Sequence, residues 1–279
     1  MKMEKFTIGQ MAKLNHISEQ TLRFYDKMGI LMPDTIDEKT GYRYYDIKQS
    51  AYLDMIQYMK SLGMKLKDIK KQLELRNPFL IKSILSQKSS QIDTEIRKLQ
   101  CQKRAIERTL QSYQHYETCP PDGVIVLEYI PERRIYCINT GMNFYDYGIE
   151  IYEEMLRKLK ENLISDKLPQ IYFCNAGTIL RQKNLEEHRF FSSEIFVSVD
   201  KEFVPDQLTV SIPANTYLCI YCNEFDKEKD YIDRLLNKVS KEGYVITGDY
   251  ICEVIAEFPL LERKSRGMFL RLQVPVKFN

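Results

Sequence analysis

The sequence predicts an α+β chain made of three unlike parts. Three observations predict it. Two short helical patterns precede a Gly- and Pro-punctuated hairpin, a heptad then runs from Phe79 to about Tyr116 without Gly or Pro, and the rear half carries an internal repeat.

The first helical pattern, "TIGQMAKLN", starts at Thr7, a good N-cap, with Ile8, Met11, Ala12 and Leu14 as its inner face. The second, "SEQTLRFYDKMG", starts at Ser18 and stops at Gly29. Only His16 and Ile17 separate them, so the pair reads as a helix-turn-helix. The stretch 33–45, "PDTIDEKTGYRYY", reads as a loop running into a short aromatic strand, a hairpin or wing. Two more amphipathic helices are expected around 46–62 and 65–75, broken at Gly63. This first domain is placed at 1–76.

From 77 to 118 the pattern is one helix. Leu85, Ile92, Leu99, Ile106 and Tyr113 recur every seven residues, and Ser89, Ile96, Lys103 and Leu110 form the second seam. A helix of this length runs roughly 55–60 Å and cannot hide its stripe in a small domain, so a coiled-coil dimer is expected. "TCPPDG" ends it, and 119–123 reads as a linker to a last domain at 124–279. There "IPERRIYCI" (130–138) and "IPANTYLCI" (212–220) share the pattern I-P-x5-C-I. Each precedes a helical run, about 146–163 and 227–241, and then two strands. The rear half is therefore expected to be a duplicated β-α-β-β unit in one sheet, with a pseudo-two-fold cleft.

Charge divides the chain as sharply as pattern does. Residues 1–120 hold 21 Lys and Arg against 14 Asp and Glu, whereas residues 121–279 hold 20 against 25. A basic front suits an anionic polymer and an acidic rear suits a cation. Of the 32 Phe and Tyr residues, 21 lie beyond residue 120, which puts the aromatic walls of any cation site there. The seven Cys suggest reduced thiols rather than a disulfide framework. Cys219 and Cys222 sit in "YLCIYCNE", an alternating strand run without the turn a metal knuckle needs. No cofactor or metal is expected. With no long apolar run and no charged-then-apolar leader, neither a membrane span nor export is expected, and the protein is placed in the cytoplasm.

The second helix of a helix-turn-helix lies in the major groove, its N-terminal residues facing base edges. Ser18, Glu19, Gln20 and Thr21 are the polar residues there. Arg23 has the reach for a phosphate or a guanine edge, Tyr25 for a phosphate, and the wing adds Tyr42, Arg43 and Tyr44. Lys60 is placed to grip the flanking strand. The alternative is that Phe24 and Tyr25 are core, Arg23 pairs with Asp26, and the wing is an ordinary hairpin. In the rear, "GDYICEVIAEF" (248–258) read as a strand puts Ile251, Glu253 and Ile255 on one face. Glu253 is then either the base of an apolar pocket, a counter-charge for a lipophilic cation, or an edge residue, exposed or paired with Lys.

"FTIGQMAKLNHISEQTLRFYDKMGIL" with "GYRYYD" resembles the MerR family of transcription regulators over about residues 5–75 and the coiled coil. The resemblance implies a homodimer on double-stranded promoter DNA with an overlong spacer. Ligand binding bends and untwists that DNA so that RNA polymerase sees both promoter elements. It implies backbone contacts from Arg23, Tyr25, Tyr42, Arg43 and Lys60, with Phe24 standing where Tyr is often found. The rear half resembles the GyrI-like effector-binding domain, and the whole order resembles BmrR-type multidrug-responsive activators. That implies a hydrophobic or cationic small-molecule inducer held by Glu253 and Ile255, with Tyr152, Phe225 and Tyr231 as pocket aromatics beside Ile251. The rival reading is a GyrI-like small-molecule hydrolase fused to a DNA-binding domain, with a buried Glu as general base. The expected protein is a sensor rather than an enzyme.

Overall fold

The computed structural model describes residues 5–75, 78–146, 149–257 and 267–278. The chain divides into two compact units at Ile96/Arg97.

In the first unit, β1 (Lys5–Thr7) leads into α1 (Ile8–Leu14) and α2 (Glu19–Lys27). Thr7 caps α1 through a capping box with Gln10, and the Ser18 hydroxyl accepts from the Thr21 N–H at 3.0 Å to start α2. Gly29, at φ +63°, ends the second helix in the left-handed region, which a Cβ would strain. The wing is β2 (Thr35–Ile36) and β3 (Arg43–Asp46), and β1 joins them in a sheet ordered β1-β3-β2. Then come α3 (Ser50–Ser61) and α4 (Leu66–Leu75), with Gly63 between them at φ +75°. Met11, Leu22, Tyr25, Tyr45, Leu53, Ile56 and Ile69 form this unit's core. Leu14, expected on the inner face, is exposed, because the first helix ends there and its last turn is not roofed.

The helix α5 (Pro78–Thr118) runs unbroken for 41 residues, opening on a Pro whose missing N–H the first turn does not need. Its heptad stripe is bare: Leu99, Ile106 and Leu110 are 54%, 58% and 60% exposed. A second stripe, unread in the sequence, belongs to the second unit. Cys101 and Ala105 are buried there, and Arg108, Ser112 and His115 continue the line. Cys101 donates its thiol proton to the Tyr172 hydroxyl, which donates to Asp200 at 2.9 Å, and Arg108 grips both oxygens of Asp200 at 2.6 and 2.7 Å. The helix thus carries one apolar seam outward and one mixed seam against its own domain.

The domain itself contains β4 (Ile125–Ile130), β5 (Arg133–Asn139), α6 (Ile149–Ser165), β6 (Gly177–Leu180), α7 (Gln182–Glu186), β7 (Glu194–Ser198), β8 (Val210–Ile212), β9 (Asn215–Cys222), α8 (Glu228–Glu242), β10 (Val245–Ile246), β11 (Tyr250–Glu257) and β12 (Met268–Lys277). The main sheet runs β4-β9-β12-β11-β6-β7-β5-β8, with β10 paired to β12. Read from its middle, the order is mirrored: β6-β7-β5-β8 on one side, β11-β12-β9-β4 on the other. The duplicated unit is therefore real, and each copy's leading strand is exchanged, β4 pairing with β9 and β8 with β5. At the pseudo-axis a Cβ on Gly177 would overlap the Phe196 ring and the Cys252 carbonyl, so only glycine lets β6 and β11 approach.

Strand alternation gives the sheet two faces. Leu218, Ile220, Cys252, Val254, Leu270 and Leu272 join α6 and α8 in the large core. Tyr217, Cys219, Ile251, Ile135 and Ile179 lie on the opposite face. Cys219 and Cys222, three apart on β9, fall on opposite faces, both buried and both with thiols pushed up by burial. They are strand thiols, and among the described residues no cluster could hold a metal ion. The expected linker is pinned: Gly123 N–H donates to the Tyr221 carbonyl, and Asp122 accepts from Asn223 N–H and the Tyr231 hydroxyl.

Candidate functional site

In the head, the N-terminus of α2 presents Gln20 and Arg23 to solvent, Arg23 lying 4.0 Å from Glu19. Ser18 and Thr21 share a hydrogen bond at 2.8 Å and cap the helix, so their hydroxyls first serve the fold. Tyr42 and Lys60 are exposed, and Tyr44 is half-buried. Arg43 donates from Nε to Asp26 at 2.8 Å, so the aspartate that the alternative reading pairs with Arg23 orients the wing instead. Tyr25, expected to reach a phosphate, lies in the core, and Phe24 is the aromatic that faces out. Tyr25 is 1% exposed beside Leu22 in the core, and Phe24 is 46% exposed. The cap at Ser18 sets this phase: Leu22 and Tyr25, three apart, point inward, and Phe24 follows Arg23 outward.

In the rear domain the six predicted ligand residues do not converge. Tyr152 and Phe225 lie on the face covered by α6 and α8, and Ile251 lies on the opposite face. Tyr231 points its hydroxyl at Asp122 and stacks under Arg234, near the pinned segment. Ile255 joins Tyr221 and Phe269 in a separate cluster, next to a register shift in β11.

Glu253 is no free bait. Its Oε2 accepts from Arg133 at 2.7 Å, Arg271 at 2.8 Å and Gln273 at 3.1 Å. Burial pushes its carboxyl up, but the charges of Arg271 and Arg133, with bonds from Arg271 and Gln273, outweigh it and hold the value at about 2. The cause is register: Glu253 stands directly across from Arg271. From Arg271 the network continues to Glu128 at 3.5 Å, then to Tyr221, and from Tyr221 to His115 on α5 at 2.7 Å.

The carboxylate that does sit among aromatics is Glu228, the first residue of α8, and the sequence reading missed it. It is 3% exposed. Its Oε1 accepts from the hydroxyls of Tyr145 and Tyr250, each at 2.9 Å, and Oε2 has no hydrogen-bond partner among the described residues. Burial raises its carboxyl to about 7, against the lowering effect of the two phenols, the Cys252 thiol and the Lys229 charge. Around it, Phe144 meets Tyr145, Tyr152 and Phe225 edge to face, with centroids 5.0, 5.9 and 5.2 Å apart. Lys229 Nζ lies over the rings of Tyr145 and Phe190 at 5.7 and 5.8 Å, so the outer wall of this cage already faces a cation.

A helix-turn-helix with a wing, a long helix with a bare apolar seam, and a domain with a caged carboxylate define a DNA-binding regulator with its own effector domain. The sequence profile of the MerR HTH family regulatory proteins matches residues 6–75. The chain is similar to the multidrug-efflux transporter 1 regulator of Bacillus subtilis (strain 168), 24% identical with 99% of each chain covered. It is also similar to the multidrug-efflux transporter 2 regulator of that organism, 27% identical over 70% of this chain and 69% of the relative. The mercuric resistance operon regulatory protein of Bacillus cereus is 31% identical over 42% of this chain and 86% of its own. The chain belongs to the MerR family of helix-turn-helix transcriptional regulators.

Proposed function

We propose that the protein is a homodimeric activator that senses lipophilic cations and, when loaded, distorts promoter DNA so that RNA polymerase initiates. Two of its relatives regulate multidrug-efflux transporters, which supports this class of inducer. The observation that carries the reading is the Glu228 cage, a buried carboxylate with one oxygen free, walled by Phe144, Tyr145, Tyr152, Phe225 and Tyr250. A buried charge needs a partner, and two phenols, the Cys252 thiol and the Lys229 charge at the outer wall do not offset burial, so the acid sits near neutrality until a cation arrives inside. The cation restores the charge that burial suppresses, and the rings add cation–π attraction. Glu253, already paired twice over, keeps the sheet and the end of α5 in register. Gln20, Arg23, Tyr42, Arg43 and Lys60 are proposed to grip DNA, with Phe24 added and Tyr25 reassigned to the core. The bare stripe on α5 is proposed as the dimer seam.

The test uses full-length protein on a duplex recovered by affinity selection, carrying 2-aminopurine at its centre. Tetraphenylphosphonium should raise the fluorescence as the central bases unstack, and Glu228→Gln should abolish the response while DNA binding remains. Below pH 7 the cation must displace a proton, so its apparent affinity should fall by about tenfold per pH unit. A response as strong in Glu228→Gln as in the parent would overturn the assignment.

A further inference from the structure

The face of the sheet away from α6 and α8 holds a cavity of about 500 Å³, floored by Ile135, Ile179, Ile251 and Tyr217 and walled on one side by Val210. Packed interiors leave few voids larger than a water molecule, and this volume lies in the range of small-molecule sites. None of the rings around Glu228 lines it.

We propose that this cavity is a second ligand site, selective for uncharged or singly cationic aromatic molecules and closed to anions. The floor is apolar, and its two titratable groups stay neutral. The Cys137 thiol is pushed up to about 12 by burial, and Tyr217 is raised by burial as well. The rim decides the charge. Arg181 donates from Nε to Glu194 at 2.6 Å, from Nη2 to the same carboxylate, and from Nη1 to Asp249 at 2.7 Å. One guanidinium between two carboxylates leaves the rim with one net negative charge and all three groups bound to each other. Of the other polar groups on the wall, Asn215 is engaged at both ends by Thr247 and Thr216, Ser211 donates to Glu132, and Asn139 Oδ1 accepts from the Gly141 N–H, which leaves a guest the Asn139 Nδ2, the Thr247 hydroxyl proton and the lone pairs of the Ser211 hydroxyl. A flat ring system with one donor group fits that set, whereas an anion meets excess carboxylate at the rim, and the guanidinium nearest the floor, Arg133 over the Tyr217 ring at 5.3 Å, is already paired with Glu253.

The site is separate from the Glu228 cage, so the two stand or fall independently. A matched pair of probes tests it: N-phenyl-1-naphthylamine, which is uncharged, and 8-anilino-1-naphthalenesulfonate, the same body carrying a sulfonate. Titrated into the full-length protein, the amine should light up at one saturable site per chain, with the sulfonate about tenfold weaker. Val210→Trp fills the mouth from a position 55% exposed, where the larger ring leaves the core undisturbed, and should abolish the amine signal. Asp249→Asn should narrow the gap between the probes, and Glu228→Gln should leave both unchanged. An amine signal that survives Val210→Trp, one that vanishes in Glu228→Gln, or a sulfonate that binds as tightly as the amine would each overturn the proposal.

Discussion

At the scale of single residues, two buried glutamates in one domain end on opposite sides of the ordinary value, according to how much charge faces them. Burial pushes both up: for Glu253 two guanidiniums overcome it and hold the carboxyl at about 2, whereas for Glu228 the two phenols do not and it stands at about 7. Glu253→Gln leaves Arg133 and Arg271 with an uncompensated buried charge and should destabilise the domain by about 3 kcal/mol in urea melts at pH 7. Its contribution is present above the ordinary value of 4.5 and is lost as pH falls toward 2. The sequence showed that Glu253 and Ile251 share a face, because a strand alternates. It did not show Arg271 opposite, since register between β11 and β12 is set by the whole sheet. Glu228 was hidden for another reason. In "FDKEKDYID" it reads as an acid at a helix N-terminus, favoured there by the helix dipole, and only folding brings Tyr145 and Tyr250 onto it.

At the scale of elements, the long helix was legible as a rod because its heptad is written in Leu and Ile. Its other stripe, Cys101, Ala105, Arg108, Ser112 and His115, has no common polarity and so no signal, although it is the stripe that fixes the helix to its domain. The two stripes separate experimentally. Ile106→Glu puts a charge in the bare seam and should turn the proposed dimer into a monomer by sedimentation equilibrium, with the far-ultraviolet spectrum of the domain retained. The short helices of the head were equally readable from their caps at Thr7 and Ser18. The roles of Phe24 and Tyr25 were not, because adjacent residues on a helix differ by a rotation that only the packed neighbours resolve.

At the scale of the whole molecule, Glu228 ties stability to pH. Between its ordinary value of 4.5 and about 7 the native state holds a proton that the unfolded chain has released, so stability should fall as pH rises through that window. Glu228→Gln carries no such proton. It should match the parent near pH 4.5 and exceed it above pH 7 by about 3 kcal/mol, read from urea melts at the two pH values. A cation in the cage should give the parent the same advantage by mass action. Among the described residues no helix is long and apolar enough to cross a membrane.

The exchanged leading strands carry one more implication. Because β4 lies along β9 and β8 along β5, each copy of the repeat lends its first strand to the other and borrows one in return. Neither half is self-sufficient: a fragment holding one copy would expose an orphaned edge and could recover its missing strand only by pairing with a sibling fragment. The ancestor of such a domain is then most simply pictured as two identical short chains clasped by reciprocal strand donation, later fused into one polypeptide.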